Sequence, residues 1–147
     1  MALFKKNDTT EVREISLTPE EAFAAVTIIA MNIDGINHSM EFKVIGMAMD
    51  RMKLFQSYTT ESLKQMLQKL QKVLIEQGDE PLYRTAIKNI PQDLIPTAFA
   101  VAVDIIMADG KVVEKEQELL SKLADSLKID PNMTKKIVEV MQIRYRG

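Results

Sequence analysis

Apolar residues recur along this chain at helical spacing, and in two places the spacing gives way to unbroken apolar runs. The first run, residues 22–31, follows Thr18-Pro19-Glu20-Glu21, a helix start with Thr18 as N-cap, Pro19 at the first helical position and Glu21 placed to close a capping box. This pattern predicts a helix to about Ile33, apolar nearly all round and so buried on most sides. After Asp34-Gly35, the positions Phe42, Ile45, Met49 and Met52, widened by Val44, Met47 and Ala48, predict a second helix over 39–55. Thr59 and Thr60 are cap candidates for a third, whose seam of Leu63, Met66, Leu67, Leu70 and Leu74 ends before Gly78.

Residues 77–81 combine Gly78 and Pro81 in a short polar stretch and form the best linker candidate, dividing two halves of one domain. A short helix is expected over 82–88. Asn89-Ile90-Pro91-Gln92-Asp93 then opens the helix that carries the second apolar run, 94–107, with a kink or restart expected at Pro96. Beyond Asp109-Gly110, the residues Leu119, Leu120, Leu123, Ala124 and Leu127 form a core face, with Glu118 and Lys122 paired outside. Asp130-Pro131 starts a last helix whose expected core face is Met133, Ile137, Val140 and Met141. The reading is all-α, a single compact bundle of about seven helices over residues 1–147. Residues 1–17 are expected to be a flexible leader from which Val12 and Ile15 pack an arm onto the body.

A shift of 75 positions superposes Asp34-Gly35 on Asp109-Gly110, Glu41 on Glu116, Ile45 on Leu120, Met49 on Ala124 and Asp50 on Asp125. The chain therefore reads as two pseudo-symmetric helix-turn-helix repeats, about 18–77 and 90–147, packed around their apolar helices. In each turn Gly closes a helix end and Asp is able to bond the amides beyond it, while Glu116 lies where a carboxylate caps the next helix. Asp-Gly followed by Glu also has the spacing of the second half of a calcium loop. The first half fails, because Ile105 and Met107, or Ala30 and Asn32 in the other unit, stand where acidic ligands would be.

Composition narrows the function. A net charge of −2 and a pI near 5.5 offer no basic field for nucleic acid. No cysteine is present, which removes disulfides, thiolate zinc sites and thiol catalysis and fits a reducing compartment. No apolar run approaches the ~20 residues of a membrane span, and the first residues lack a signal-peptide core, so a cytoplasmic protein is expected.

The string Asp104-Ile105-Ile106-Met107-Ala108-Asp109-Gly110-Lys111-Val112-Val113-Glu114-Lys115-Glu116, followed by Leu119-Leu120 and Asp130-Pro131, resembles the TerB-like superfamily of tellurite-resistance and co-chaperone domains. The resemblance covers about 91–140 well and 19–74 more weakly. It implies an all-helical cytoplasmic domain of duplicated units, associated with stress or tellurite resistance and without established enzyme chemistry. It further implies metal chelation by acidic positions, here Asp109, Glu114 and Glu116 in the second unit and Asp34 and Glu41 in the first. Lys111, Val112, Val113 and Lys115 thin that carboxylate cluster.

Among single residues, Asp104 is unusual for its apolar neighbours, and reads either as an edge carboxylate facing Lys or Arg or as a functional carboxylate sharing a cleft with Asp109. His38 lies near Asp34 and Glu41 but reads first as a capping or solvent residue. Most of the ten methionines read as core. The leading expectation is a non-enzymatic module acting through a protein partner or self-association, a homodimer included. The alternative is a divalent-cation protein using the acidic turn residues, which is the only cofactor implied. A hydrolase built on Asp104 and Asp109 comes third.

Overall fold

The computed structural model describes residues 14–35, 43–108 and 111–146, without the side chains of residues 43, 44 and 47. Among these residues are seven α-helices and two 3₁₀ turns. In chain order they are α1 (Pro19–Met31), α2 (Lys43–Asp50), a 3₁₀ turn (Lys53–Phe55), α3 (Thr60–Gln77), α4 (Asp79–Asn89), a 3₁₀ turn (Gln92–Leu94), α5 (Ile95–Met107), α6 (Glu114–Ser126) and α7 (Pro131–Arg144).

α1 begins with the expected capping box. Thr18 Oγ1 accepts from the Glu21 amide at 3.1 Å, and Glu21 Oε1 accepts from the Thr18 amide at 3.0 Å, so two amides with no helical partner are satisfied at once. Every residue from Ala22 to Ala30 is buried, and α3, α4 and α5 all pack against α1. Its alanines leave room for neighbours to approach closely, while Phe23 and Ile28 supply the bulk. Preceding α1, Leu17 is buried and Ile15 packs against the core, so the described end of the expected leader lies on the body; Val12 is outside the described residues.

The expected second helix differs. α2 ends at Asp50, Met52 is extended, and a separate 3₁₀ turn carries Phe55 back onto α1. There the Phe55 ring meets Phe23 edge-on at 6.0 Å and Tyr58 at 5.7 Å. α3 starts at a second capping box, Thr59 with Ser62 (2.9 and 2.8 Å), and buries the expected seam. Gly78, at φ +89°, is the whole break between α3 and α4. The expected five-residue linker is thus mostly helix, because Pro81 falls in the first turn of α4, where its missing N–H has no intrahelical partner to lose. Between α4 and the segment carrying α5 the chain bends by 112° at Ile90 and Pro91, and the 3₁₀ turn before Ile95 is the restart expected near Pro96.

The expected correspondence sets α5, α6 and α7 beside α1, α2 and α3. The packing agrees with it only in part: α7 docks on α5 as α3 docks on α1, but α2 docks on α3 and α6 on α5. At the superposed positions Ile45 and Met49 are buried, while Leu120 and Ala124 are only half-buried. On α7, Met133 and Val140 are not core but 42% and 58% exposed, as is Ile143 at 61%. Ile137, Val138, Met141 and Tyr145 make the contact with the core instead.

No single helix among the described residues is long and apolar enough to cross a membrane.

Candidate functional site

The acidic positions at the turns do not converge where they are described. Asp34 is exposed, just before Gly35 at φ +145°, whose amide donates to Asn32 O at 3.0 Å. Glu114 is exposed at the first position of α6. Glu116 is only 4% exposed, and its Oε1 accepts from the Val113 amide at 2.9 Å. Two positions apart on a helix, these carboxylates point about 200° away from each other. Glu116 therefore acts as a cap: half of a capping box, since Val113 has no side-chain acceptor to return the bond. Asp109, Gly110, Glu41 and His38 lie outside the described residues. Among the described residues no group of three or more Asp, Glu, His or Cys side chains is placed to hold an ion.

Asp104 has a different role. Its carboxylate, half-buried on α5, accepts from the Tyr145 hydroxyl and from Arg144 Nε at 3.4 Å. The Arg144 guanidinium also lies 5.3 Å from the centre of the Tyr145 ring. The hydrogen bond to Asp104, helped by burial, pushes the Tyr145 phenol above its ordinary value, while Tyr145 and Asp104 together push Arg144 up. The polar residue in the apolar run thus latches the end of α7 to α5.

At the other end of the bundle, α1, α4 and α6 frame a groove of about 190 Å³ with an apolar floor of Ile29, Ile33 and Leu119. Part of its rim is internally paired. Lys122 Nζ donates to Glu80 Oε1 at 2.9 Å and sits 4.4 Å above the Tyr83 ring, whose hydroxyl donates to Ser126 Oγ at 2.8 Å. The Lys122 hydrogen bond holds the Glu80 carboxyl below its ordinary value and the Lys122 ammonium above its own, while burial pushes Tyr83 up. These contacts clamp α4 to α6.

The buried polar pair that sequence reasoning missed is Asn32 with Gln71. Gln71 occupies a seam position between Leu67 and Leu74 on α3, and an amide in that stripe is the signal that a partner exists in the core. Tyr145 had no such signal, because its partner Asp104 is 41 residues away.

No protein-family model, curated protein or solved structure matches this chain.

Proposed function

We propose that this chain is a non-enzymatic, cytoplasmic module of the TerB-like kind, built from a duplicated helical unit, that serves a stress response such as tellurite resistance by binding a protein partner. The observation that supports this reading is on α7. Met133, Val140 and Ile143 stand 42%, 58% and 61% exposed on a helix whose other face is already docked on α5. Three large apolar side chains on one exposed helix face are uncommon without a partner, since each is worth roughly 1.5–3 kcal/mol when fully buried. Of the candidate carboxylates, Glu116 is engaged in capping and Asp104 in latching.

The test is a photo-crosslinking residue in place of Ile143, introduced in cells that express the chain, with the crosslinked species identified by mass spectrometry. A defined protein adduct is expected at this position, lost on Val140→Asp and absent when the same residue replaces exposed Lys64 on α3. Equal crosslinking at both positions, or none at Ile143, would overturn the reading.

A further inference from the structure

We infer that α7 is a strap that lifts off α5 about a hinge at Lys128 while α1 to α6 stay folded, so that the apolar seam beneath it opens and closes. The inference concerns the inner face of α7 and does not draw on what binds the outer one. It begins with burial. Among the described residues each of α1 to α6 buries at least two of its own side chains, whereas α7, fourteen residues long, buries none. The side chains it turns toward α5 and α6, Thr134, Ile137, Val138, Met141 and Tyr145, are all half-buried. Segments with few buried apolar contacts are the ones that open below global unfolding.

The seam is also incompletely filled. A cleft of about 410 Å³ lies between α5, α6 and the first half of α7, with Phe99, Leu120 and Ala124 on one side and Thr134 and Val138 on the other. Side chains that border a gap lose the contact atoms they would have on that side, so docking is weakened there. Beside the cleft, Thr134 Oγ1 is enclosed without a hydrogen-bond partner. That cost is carried by the docked helix and relieved when water reaches the hydroxyl.

The two ends of α7 suit the motion. α6 is closed by its own turn, in which the Ile129 amide donates to Ala124 O at 3.0 Å and the Lys128 amide to Asp125 O at 3.1 Å. Lys128 stands there at φ +55°, a left-handed conformation in which glycine is usual and a lysine is strained. α7 is started by its own cap, with Asp130 Oδ2 accepting from the Asn132 and Met133 amides at 3.1 and 3.3 Å. Each helix is thus terminated within itself, and neither has to unwind for the joint between them to turn. At the far end, among the described residues, the side-chain hydrogen bonds from α7 to another helix are those of Tyr145 and Arg144 to the half-buried Asp104. A fastening that is partly solvated holds weakly.

The experiment is proteolysis of the full, natively folded chain by trypsin, in the regime where cutting reports the population of the open form, with each cut bond identified by mass spectrometry. Lys135 and Lys136 on α7, and Lys64 and Lys72 on α3, are all exposed lysines held in helix, so cleavage after any of them requires its helix to open. Initial cleavage after Lys135 and Lys136 is expected to be on the order of a hundredfold faster than after Lys64 and Lys72, and to depend less steeply on urea. Gln71→Leu, which breaks the buried pair with Asn32, should speed cleavage in α3 about tenfold and leave cleavage in α7 unchanged. Thr18→Ala makes the same comparison at smaller cost should Gln71→Leu not fold. Similar rates in the two helices, or an equal effect of the core substitution on both, would show that α7 opens only together with the core and would overturn the strap. Fast cleavage confined to Arg144 would reduce the motion to fraying of the last turn and would overturn it as well.

Discussion

The carboxamides of Asn32 and Gln71 lie face to face in the core and exchange two hydrogen bonds, Asn32 Nδ2 to Gln71 Oε1 at 2.9 Å and Gln71 Nε2 to Asn32 Oδ1 at 3.1 Å. Asn32 Nδ2 also donates to Ile28 O at 2.7 Å. The pair ties the exit of α1, one residue before Ile33-Asp34-Gly35, to the middle of α3. It therefore sets the direction in which the first Asp-Gly turn leaves the bundle.

Replacing Gln71 by Leu should destabilise the fold by about 1–3 kcal/mol, because Asn32 Oδ1 loses the Gln71 donor and Asn32 Nδ2 one of its acceptors inside the core. Asn32→Leu alone should cost a similar amount. The double variant should cost clearly less than the two single changes together, since replacing both partners leaves neither amide stranded. Chemical denaturation of the four proteins measures this coupling, and strict additivity would show that the two side chains act independently.

Glu116 is expected to stabilise α6 without any ion. Glu116→Gln should lower stability by about 1 kcal/mol, the typical cost of weakening a helix cap, and by the same amount with chelator as with added calcium, magnesium, manganese or zinc. A stabilisation by one of these ions that disappears in Glu116→Gln would make the residue a ligand instead.

The latch at Asp104 gives a further expectation. Tyr145→Phe removes the donor to a carboxylate that is partly screened by solvent, with its side chain 29% exposed, and should cost about 1 kcal/mol. Hydrogen exchange should then quicken in the last turns of α7 and leave α1 unchanged. Uniform acceleration along the chain would mean that the latch supports the whole core.

Alkaline titration follows from the tyrosines. All three, Tyr58, Tyr83 and Tyr145, are pushed above the ordinary value of 10.0: the first two chiefly by burial, the last chiefly by its bond to Asp104. A phenol whose folded pKa is raised favours folding while it stays protonated. That contribution is complete below pH 10.0 and is lost as pH rises through the folded values. An ultraviolet titration should show no tyrosine ionising at its ordinary value in the folded protein, and all three doing so in denaturant.

At the acid end the sign is opposite. Burial pushes Glu21 up, but the Thr18 amide and the Lys69 ammonium, 3.0 Å away, outweigh it and hold the carboxyl below 4.5. Glu80 is held low by Lys122. A depressed carboxyl stabilises the fold above its unfolded pKa, and that contribution is lost as pH falls through the folded value. Glu21→Gln should therefore flatten the decline of stability below pH 4.5, and an unchanged acid limb would remove Glu21 from it.

Sequence alone determined the features that depend on residues within one helical turn of each other. The Thr18–Glu21 box, the all-round apolar character of α1, the seam of α3 and the restart near Pro96 are local, because a cap or a helical stripe needs only neighbours three or four positions away. What only the tertiary structure decided are choices among faces and partners. The stripe through Met133, Ile137 and Val140 was readable, but which part of it is buried depends on how α7 docks on α5. The interruption of α2 follows from Phe55 meeting Phe23, and the Gln71 amide is satisfied by Asn32, 39 residues earlier. Spacing placed Glu116 first as a cap and second as an ion ligand, and in the structure its Oε1 accepts from the Val113 amide. Periodicity names the residues that lie on a stripe, but only the helices packed around it select the stripe that loses its water.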